Sequence, residues 1–226
     1  MRYLTALAVI LAIGGCGNGS SGADAGGDIC GFSSDRFFPY EVGYHWEWRV
    51  TDLSSGAVET KTQVVAEIRN HPDDGEPMLV QLTNKGAGST ENWMRKEGDA
   101  LVRLQQMDRN SLDELLRTTL YTPYAIRLDE AAERVADGAT FTEDYTEVEY
   151  DEMGTETRRT NVTEEWEVLG VNVACDAPLG TFECLHIRRT RTQGGVTEKQ
   201  YWFARGVGKI REEGGQIEQL TGCSAD

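Results

Sequence analysis

The stretch APLGTFECLHIRRTRTQGGVTEKQYWFARGVGKIRE, residues 177 to 212, most strongly indicates the fold of this chain. Aromatic and β-branched residues fill its two halves, and glycine and proline bound them. That pattern is typical of an antiparallel hairpin with a glycine turn between two strands. We therefore expect a strand, a turn and a second strand here, placed at the centre of one sheet.

Residues upstream of this stretch show the same strand pattern. In 44–51, Trp46, Trp48 and Val50 alternate with polar residues, as in a half-buried strand. Residues 58–69 alternate again, with Val58, Val64 and Ile68 on one face. Further strands are predicted at 78–84, 89–96, 100–107, 141–150 and 155–170, with glycine in several of the turns between them. The fold class predicted is mainly β: a single curved antiparallel sheet, either a meander or a half-barrel.

One segment has the pattern of a short helix. Asn110 or Ser111 can cap its start, and Leu112, Leu115 and Leu116 would share one face. Pro123 forbids its continuation. We therefore predict one short helix beside the sheet.

The N-terminus has the pattern of an export signal. Arg2 precedes an apolar run from Leu4 to Ile13, which is too short to span a bilayer as a permanent helix. The following Ile13-Gly14-Gly15-Cys16 resembles the lipobox of bacterial lipoproteins. This resemblance implies diacylglycerol on the Cys16 thiol, cleavage before Cys16 and acylation of the new amino terminus.

The sequence divides into three parts by this interpretation. Residues 1–15 form the signal peptide, 16–29 a lipidated flexible tether rich in Gly and Ser, and 30–226 a single β-rich domain. The expected partner is a membrane, reached through the lipid anchor at Cys16. Gly17 follows Cys16 where enteric inner-membrane lipoproteins carry Asp, so the expected location is the outer membrane of a bacterial cell envelope.

Charge narrows the choice of partners. The formal net charge is −16, and such a surface repels nucleic acid, which needs cationic partners. We therefore expect no nucleic acid as a partner. The acidic surface is otherwise interpreted as a solvated exterior.

Four cysteines remain after Cys16, and an even number in an exported chain favours disulfides. Four cysteines allow three pairings. Cys175 and Cys184 flank an expected turn and can face one another across a hairpin, while Cys30 and Cys223 lie near the two ends of the folded part. We favour Cys175 with Cys184 and Cys30 with Cys223.

Several motifs together resemble a family of uncharacterised exported bacterial proteins, many of them lipoproteins. They are FFPYEVGYHW at 37–46, YTPY at 121–124, GATF at 138–141, PLGTFEC at 178–184 and YWFARGVGKI at 201–210. Leu179 stands where alanine is commoner in the family, and Phe141 where tryptophan is frequent. The resemblance covers Phe38 to Ile210 and implies an antiparallel β fold. It brings no settled activity and therefore no functional residues.

No residue pattern predicts catalysis or a bound metal. His45, His71 and His186 lack the spacing of metal ligands, although His45 and His186 could be neighbours in space. The acidic run Glu143, Asp144, Glu147, Glu149, Asp151 and Glu152 alternates as a strand does, so we interpret it as a solvated face paired across a hairpin with Arg158 and Arg159. We expect no cofactor, no metal and no enzyme activity.

The function predicted is that of a membrane-anchored, non-catalytic envelope lipoprotein. Its curved sheet would bind a hydrophobic ligand or another envelope component in an apolar groove. One alternative is a cell-envelope hydrolase that uses two carboxylates roughly 5 to 10 Å apart. Another is a purely structural surface lipoprotein.

Overall fold

The computed structural model describes residues 29–72 and 75–225, which form twelve strands. The predicted signal peptide, Cys16 and all but the last residue of the predicted tether lie outside the described residues. The strands are β1 (Tyr44–Asp52), β2 (Val58–Asn70), β3 (Pro77–Lys85), β4 (Gly88–Glu97), β5 (Ala100–Arg109), β6 (Leu115–Asp129), β7 (Thr140–Tyr150), β8 (Glu156–Ala177), β9 (Gly180–Thr192), β10 (Val196–Ala204), β11 (Gly208–Glu213) and β12 (Gln216–Ala225).

The sheet is a closed antiparallel barrel. Each strand pairs with its successor, and β1 pairs with β12 to complete the ring. In this closing pair Trp48 lies opposite Leu220, while on its other side Trp48 lies opposite Lys61 of β2. The prediction of a mainly β meander is confirmed, but that of an open curved sheet or half-barrel is wrong. Closure depends on pairing between the first and last strands. The alternation of apolar and polar residues within single strands does not predict that pairing.

The predicted short helix is also wrong. Residues 110–114 form the turn between β5 and β6, where the Asn110 Oδ1 accepts hydrogen bonds from the backbone N–H groups of Leu112 (2.9 Å) and Glu114 (3.0 Å). Asp113 has a φ of 64°, which is incompatible with a right-handed helix. The Asn110 side chain therefore caps this turn instead of a helix. Thr118 and Thr119, which follow the turn, belong to β6.

The stretch 177–212 contains three strands rather than two. The expected turn lies at 193–195, but a second turn at 205–207 separates β10 from β11. Gly208 follows it with a φ of 102°, and a Cβ there would lie 3.2 Å from the Trp46 Nε1. The GVG motif therefore turns the chain where an indole packs closely against the backbone.

Residues 30–40 cross one end of the barrel and seal it, so we call them the cap. Phe32 stacks on Tyr44 with ring centroids 4.1 Å apart. Glu130, from the β6–β7 connection, accepts backbone hydrogen bonds from Phe37 (2.8 Å) and Phe38 (3.1 Å). The Glu130 carboxylate thus holds two consecutive backbone amides of the cap against the barrel.

Two disulfides lie at or near this capped end. Cys30 is bonded to Cys223, which joins the start of the cap to β12. Cys175 is bonded to Cys184 across the β8–β9 hairpin. These are the two pairs that the sequence favours.

The barrel interior changes character along its axis. Near the cap it contains two apolar clusters, in which Trp46, Trp48, Leu185 and Phe203 are buried. Towards the opposite end, buried side chains are charged or polar: Lys61, Gln81, Asn92, Thr119, Glu147, Glu164, Lys209, Glu212 and Glu218. We call that opposite end, bounded by the turns at 53–57, 86–87, 110–114, 151–155, 193–195 and 214–215, the open end.

Candidate functional site

Two adjoining cavities occupy the charged part of the barrel interior, and we call them together the barrel chamber. The outer one has a volume of about 400 Å³ and the inner one about 200 Å³. The residues lining both are Lys61, Gln63, Gln81, Met94, Arg127 and Glu218. Four aromatic residues line the inner cavity but not the outer one: Phe38 of the cap, Trp166, Tyr201 and Phe203. The chamber therefore has an apolar floor and polar walls.

Strand alternation places the polar wall residues inside. Lys61 and Gln63 of β2 are two residues apart, and so share the interior face with Val65. Across the sheet, the Gln63 Nε2 donates to the Thr83 Oγ1 (3.0 Å). These amide and hydroxyl groups keep free donors and acceptors that can contact a ligand.

Three lysines and two glutamates form a connected network on one wall. The Glu218 Oε2 lies 2.5 Å from the Lys61 Nζ and 2.6 Å from the Lys209 Nζ. Glu212 contacts the Lys209 Nζ and the Lys199 Nζ, each at 2.5 Å. The lysines outnumber the carboxylates, so this wall carries a net positive charge.

The network shifts the pKa values of its members. Burial, together with repulsion from Lys209, lowers the pKa of Lys61 to about 8 even though Glu218 and Glu212 oppose the change. Burial alone would raise the pKa of Glu218, but attraction by Lys209 and Lys61 holds it below its ordinary value. Burial thus lowers the pKa of Lys61, whereas the attraction of Glu212 and Glu218 raises that of Lys209.

Three arginines approach one another on the other side of the chamber. The Arg103 Nη1 donates to the Asn92 Oδ1 (3.2 Å) and the Gln106 Oε1 (2.6 Å), but the Arg103 Nε is buried without a hydrogen-bond partner. Burial and repulsion by Arg127 and Arg189 lower the pKa of Arg103, against the opposing influence of Tyr121. Among residues 29–72 and 75–225, Arg127 makes no hydrogen bond or ion pair.

Arg189 differs from the other two because it has a carboxylate partner. Its Nη1 lies 3.5 Å from the Glu164 Oε2, and its Nε is also buried without a partner. Glu164 is only 1% exposed and also accepts a hydrogen bond from the Tyr145 hydroxyl (3.0 Å). Within residues 29–72 and 75–225, Arg103 and Arg127 are therefore the arginines of the chamber that have no carboxylate partner.

Cations dominate the lining of the barrel chamber as a whole. Its three carboxylates are Asp108, Glu212 and Glu218. Its eight cations are Lys61, Lys85, Arg103, Arg109, Arg127, Arg189, Lys199 and Lys209. Three of these cations have carboxylate partners outside the lining: Lys85 pairs with Glu59, Arg109 with Asp113 and Arg189 with Glu164. Within residues 29–72 and 75–225, the positive charge without an ion-pair partner is therefore that of Arg103 and Arg127, in a protein whose formal net charge is −16.

The acidic run on β7 is only partly the solvated face that its sequence indicates. The Arg158 Nη1 does lie across the hairpin from Glu149, at 3.5 Å, but Arg159 pairs with Glu156 of its own strand instead. Glu147 is buried and contacts the Arg191 Nη2 at 2.6 Å. The acidic residues of this strand therefore include both solvated and buried carboxylates.

Glu143 forms a carboxyl pair with Glu164. The two lie opposite each other on β7 and β8, and the Glu143 Oε2 accepts a hydrogen bond from the Ile126 backbone N–H (2.9 Å). Burial and the hydrogen bond to Glu164 raise the pKa of Glu143 to about 8. Neither Glu143 nor Glu164 lines the chamber, so the pair does not flank it as two glycosidase carboxylates would flank a substrate.

The histidines do not converge. Three strands lie between β1, which carries His45, and β9, which carries His186, so the idea that these two are neighbours is wrong. His186 stacks on Trp202 and its Nε2 lies 2.9 Å from the Gln200 Oε1. Over residues 29–72 and 75–225, no group of three His, Cys, Asp or Glu side chains is arranged to hold a metal ion.

Sequence reasoning missed the barrel chamber. The charged residues that line it alternate with apolar ones on strands, and such residues normally face solvent. A signal was present on β2, where Lys61 and Gln63 share a face with the buried Val65 while Val58 and Ile68 are exposed. The apolar residues of this strand therefore do not all mark the interior.

Comparisons with known proteins identify the fold. A crystal structure of a proposed exported protein with a YmcC-like fold from Bacteroides fragilis superposes with a TM-score of 0.53 at 14% sequence identity, over 83% of this chain and 98% of that chain. A crystal structure of a proposed lipoprotein from Parabacteroides distasonis gives a TM-score of 0.45 at 12% identity, over 84% of this chain and 99% of that chain. No protein-family profile and no curated protein matches the sequence. The first comparison shows a shared fold.

Where the chain is described, from 29 to 72 and from 75 to 225, no helix is long and apolar enough to cross a bilayer.

Proposed function

We propose that this protein is a cell-envelope lipoprotein, tethered to the outer membrane through Cys16, that binds a small ligand in the barrel chamber without transforming it. The observation that carries the binding role is the chamber itself, a solvent-connected space of about 400 and 200 Å³ with an apolar floor and polar walls. Ligand sites commonly have this size and this mixture of surfaces.

The lipobox pattern supports the tether. Ile13-Gly14-Gly15-Cys16 follows a short apolar run, which is the arrangement that lipoprotein processing requires. The family resemblance carried by the GTF and YWFARGVG motifs points to the same group of exported lipoproteins. A domain standing on a Gly- and Ser-rich tether could present its open end to a ligand or another envelope component.

The lining of the chamber favours a polar ligand over the hydrophobic ligand expected from the sequence. Aromatic residues are confined to the floor, where Phe38 and Phe203 pack with ring centroids 5.6 Å apart. The walls carry amides, hydroxyls and charges. An apolar molecule that entered the chamber would remove water from these groups without replacing their hydrogen bonds, which is unfavourable.

A catalytic role has less support than binding. The carboxyl pair Glu143 and Glu164, opposite each other on β7 and β8, lies outside the chamber lining. We therefore propose a binding protein and not a hydrolase.

Metabolic labelling with a fatty acid tests the tether. Cells that produce the full chain should incorporate the label into it, whereas a Cys16→Ser variant should remain unlabelled. Ala23→Ser, within the same predicted tether, is a matched control that should label like the wild type. Label on the Cys16→Ser variant would exclude the lipoprotein assignment.

Native mass spectrometry of the full-length protein, released from its own envelope, tests binding. The expected spectrum contains the lipidated polypeptide plus a noncovalent mass that is lost at higher collision energy. Recovery of the lipidated polypeptide alone, from envelopes at native expression, would contradict the binding role.

A further inference from the structure

The charge of the barrel chamber is opposite to that of the protein as a whole. Eight cations and three carboxylates line it, although acidic residues outnumber basic ones by 38 to 22 in the sequence. Carboxylates outside the lining pair with Lys85, Arg109 and Arg189, so the unpaired positive charge lies on the remaining arginines of the chamber. Bringing like charges together in a partly desolvated space is unfavourable unless an anion enters it.

Two of the cations have no carboxylate to neutralise them. The Arg103 guanidinium lies over the Tyr121 ring at 4.4 Å and donates to the neutral oxygens of Asn92 and Gln106, while its Nε has no hydrogen-bond partner among the described residues. Arg127 makes no hydrogen bond or ion pair with residues 29–72 or 75–225, and it lines both the outer and the inner cavity. The two guanidinium groups therefore offer unsatisfied donors to whatever occupies the chamber.

The chemistry of these donors selects the ligand group. A guanidinium presents planar, paired N–H donors that match the oxygens of carboxylate and phosphate. Lys61 adds an ammonium group, which binds an oxyanion as a point charge. An oxyanion is therefore the group that would satisfy both kinds of donor at once.

The outer walls indicate the rest of the ligand. Gln63, Gln81, Thr83, Thr90 and Asn92 line this part of the chamber, and Met94 is its one large apolar side chain besides the aliphatic stems of the basic residues. Amides and hydroxyls both donate and accept hydrogen bonds, as sugar hydroxyls also do. The volume of about 400 Å³ admits a molecule the size of a monosaccharide.

From these observations we propose that the barrel chamber binds a small polyhydroxylated oxyanion, such as a sugar bearing a phosphate or a carboxylate, through Arg103, Arg127 and Lys61. The hydroxyls of the ligand contact the amide-lined wall of β2 to β4. This inference rests on the proposed binding function and adds to it the chemical class of the ligand.

Isothermal titration calorimetry of the full-length protein in detergent tests the ligand class. Glucose 6-phosphate and glucuronate are the charged probes, glucose is the neutral one, and N-phenylnaphthylamine represents an apolar ligand. We expect at least one charged sugar to bind at least about tenfold more tightly than glucose, because charge-assisted hydrogen bonds are stronger than neutral ones. The stronger of the two charged sugars identifies phosphate or carboxylate as the preferred oxyanion.

Substitutions locate the site. Arg127→Gln should weaken binding of the charged sugar by about tenfold or more, since it removes a guanidinium that makes no structural ion pair. Arg127→Lys should retain part of the affinity because it keeps the charge but loses the paired donors. Arg49→Gln, which removes the same charge from an exposed residue of β1, should leave the affinity unchanged.

Three results would overturn the inference. Equal affinity for glucose and the charged sugars would show that charge does not select the ligand. Wild-type affinity in both Arg127 variants, or an equal loss in Arg49→Gln, would place binding outside the chamber. Binding of the apolar dye with no binding of the charged sugars would reject the oxyanion while leaving the proposed binding function intact. A native ligand absent from the mass spectrum is the separate result that rejects that function.

Discussion

The capped end and the open end of the barrel are built on the same strands, yet their interiors have opposite chemistry. On β1 and β2, Trp46 and Val65 are fully buried near the cap, whereas Lys61 is buried among other charges towards the open end. Trp48 lies at the boundary, where its indole Nε1 donates to the Lys209 backbone oxygen (3.2 Å) and Lys61 lies 5.1 Å from its ring centroid. The change from an apolar to a charged interior therefore takes place over two or three residues along a strand.

The two ends contribute to stability in different ways. Burying aromatic side chains at the capped end is favourable, by about 1.5 to 3 kcal/mol for each large side chain. Burying lysines and glutamates together gains far less, because desolvation opposes their attraction. Apolar residues of similar volume would stabilise the open end at least as well as its buried ion pairs, which agrees with the binding role that we propose for these charges.

The largest effect is expected at the capped end. Trp46→Ala should lower the free energy of unfolding by about 3 to 5 kcal/mol, because the 1% exposed indole leaves a cavity and its hydrogen bond to the Val207 oxygen is lost. Urea unfolding followed by circular dichroism measures this change. Trp202→Ala, which removes a partly exposed indole packed against the same cluster, should cause a smaller loss; an equal loss would contradict the contribution assigned to the complete burial of Trp46.

A smaller effect is expected where the cap is fixed to the barrel. Glu130→Ala leaves the backbone N–H groups of Phe37 and Phe38 without their acceptor, and each unsatisfied donor costs about 1 to 3 kcal/mol if it stays buried. Hydrogen exchange of these two amides should accelerate. Glu133→Ala, at an exposed position of the same connection, is the control. Unchanged exchange in Glu130→Ala would show that the other contacts of the cap hold it in place without this carboxylate.

The smallest effect concerns the pH dependence of stability at the open end. Folding lowers the pKa of Lys61 from 10.5 to about 8. Between about pH 8 and 10.5 the unfolded chain therefore keeps a proton on Lys61 that the folded chain has lost. The free energy of unfolding consequently increases as the pH rises through this range. The slope is at most about 1.4 kcal/mol per pH unit. Lys61→Met should flatten it, and Lys96→Met, at an exposed position, should not. A slope that persists in Lys61→Met would assign the titration to another group.

Much of the fold follows from local patterns in the sequence. The predicted strands at 44–51, 78–84 and 141–150 coincide with β1, β3 and β7 to within one or two residues, because alternation of burial and glycine turns are properties of short segments. Barrel closure is different, since it depends on β12 reaching β1 across the whole domain. The failed helix at 110–116 has a local cause, in that Asn110 can cap either a helix or a turn.

The candidate site was harder to predict because burial and charge usually exclude each other. Lys61, Lys209, Glu212 and Glu218 come from three different strands, and only the barrel brings them within 2.6 Å of each other in a connected series. Sequence alone gives no reason to place Arg103 or Arg127 inside. The prediction of an apolar groove assigned the aromatics to a ligand, whereas they form the floor and the capped core.

The most direct test of the contrast between the ends is NMR of the arginine side-chain Nε–Hε groups during titration with glucose 6-phosphate and glucuronate. We expect the resonances of Arg103 and Arg127 to shift and saturate together with at least one of these ligands, while that of Arg49 on the exposed face stays constant. Absence of any shift at Arg103 and Arg127 with both ligands, or equal shifts at Arg49, would contradict the account of the open end as an oxyanion site.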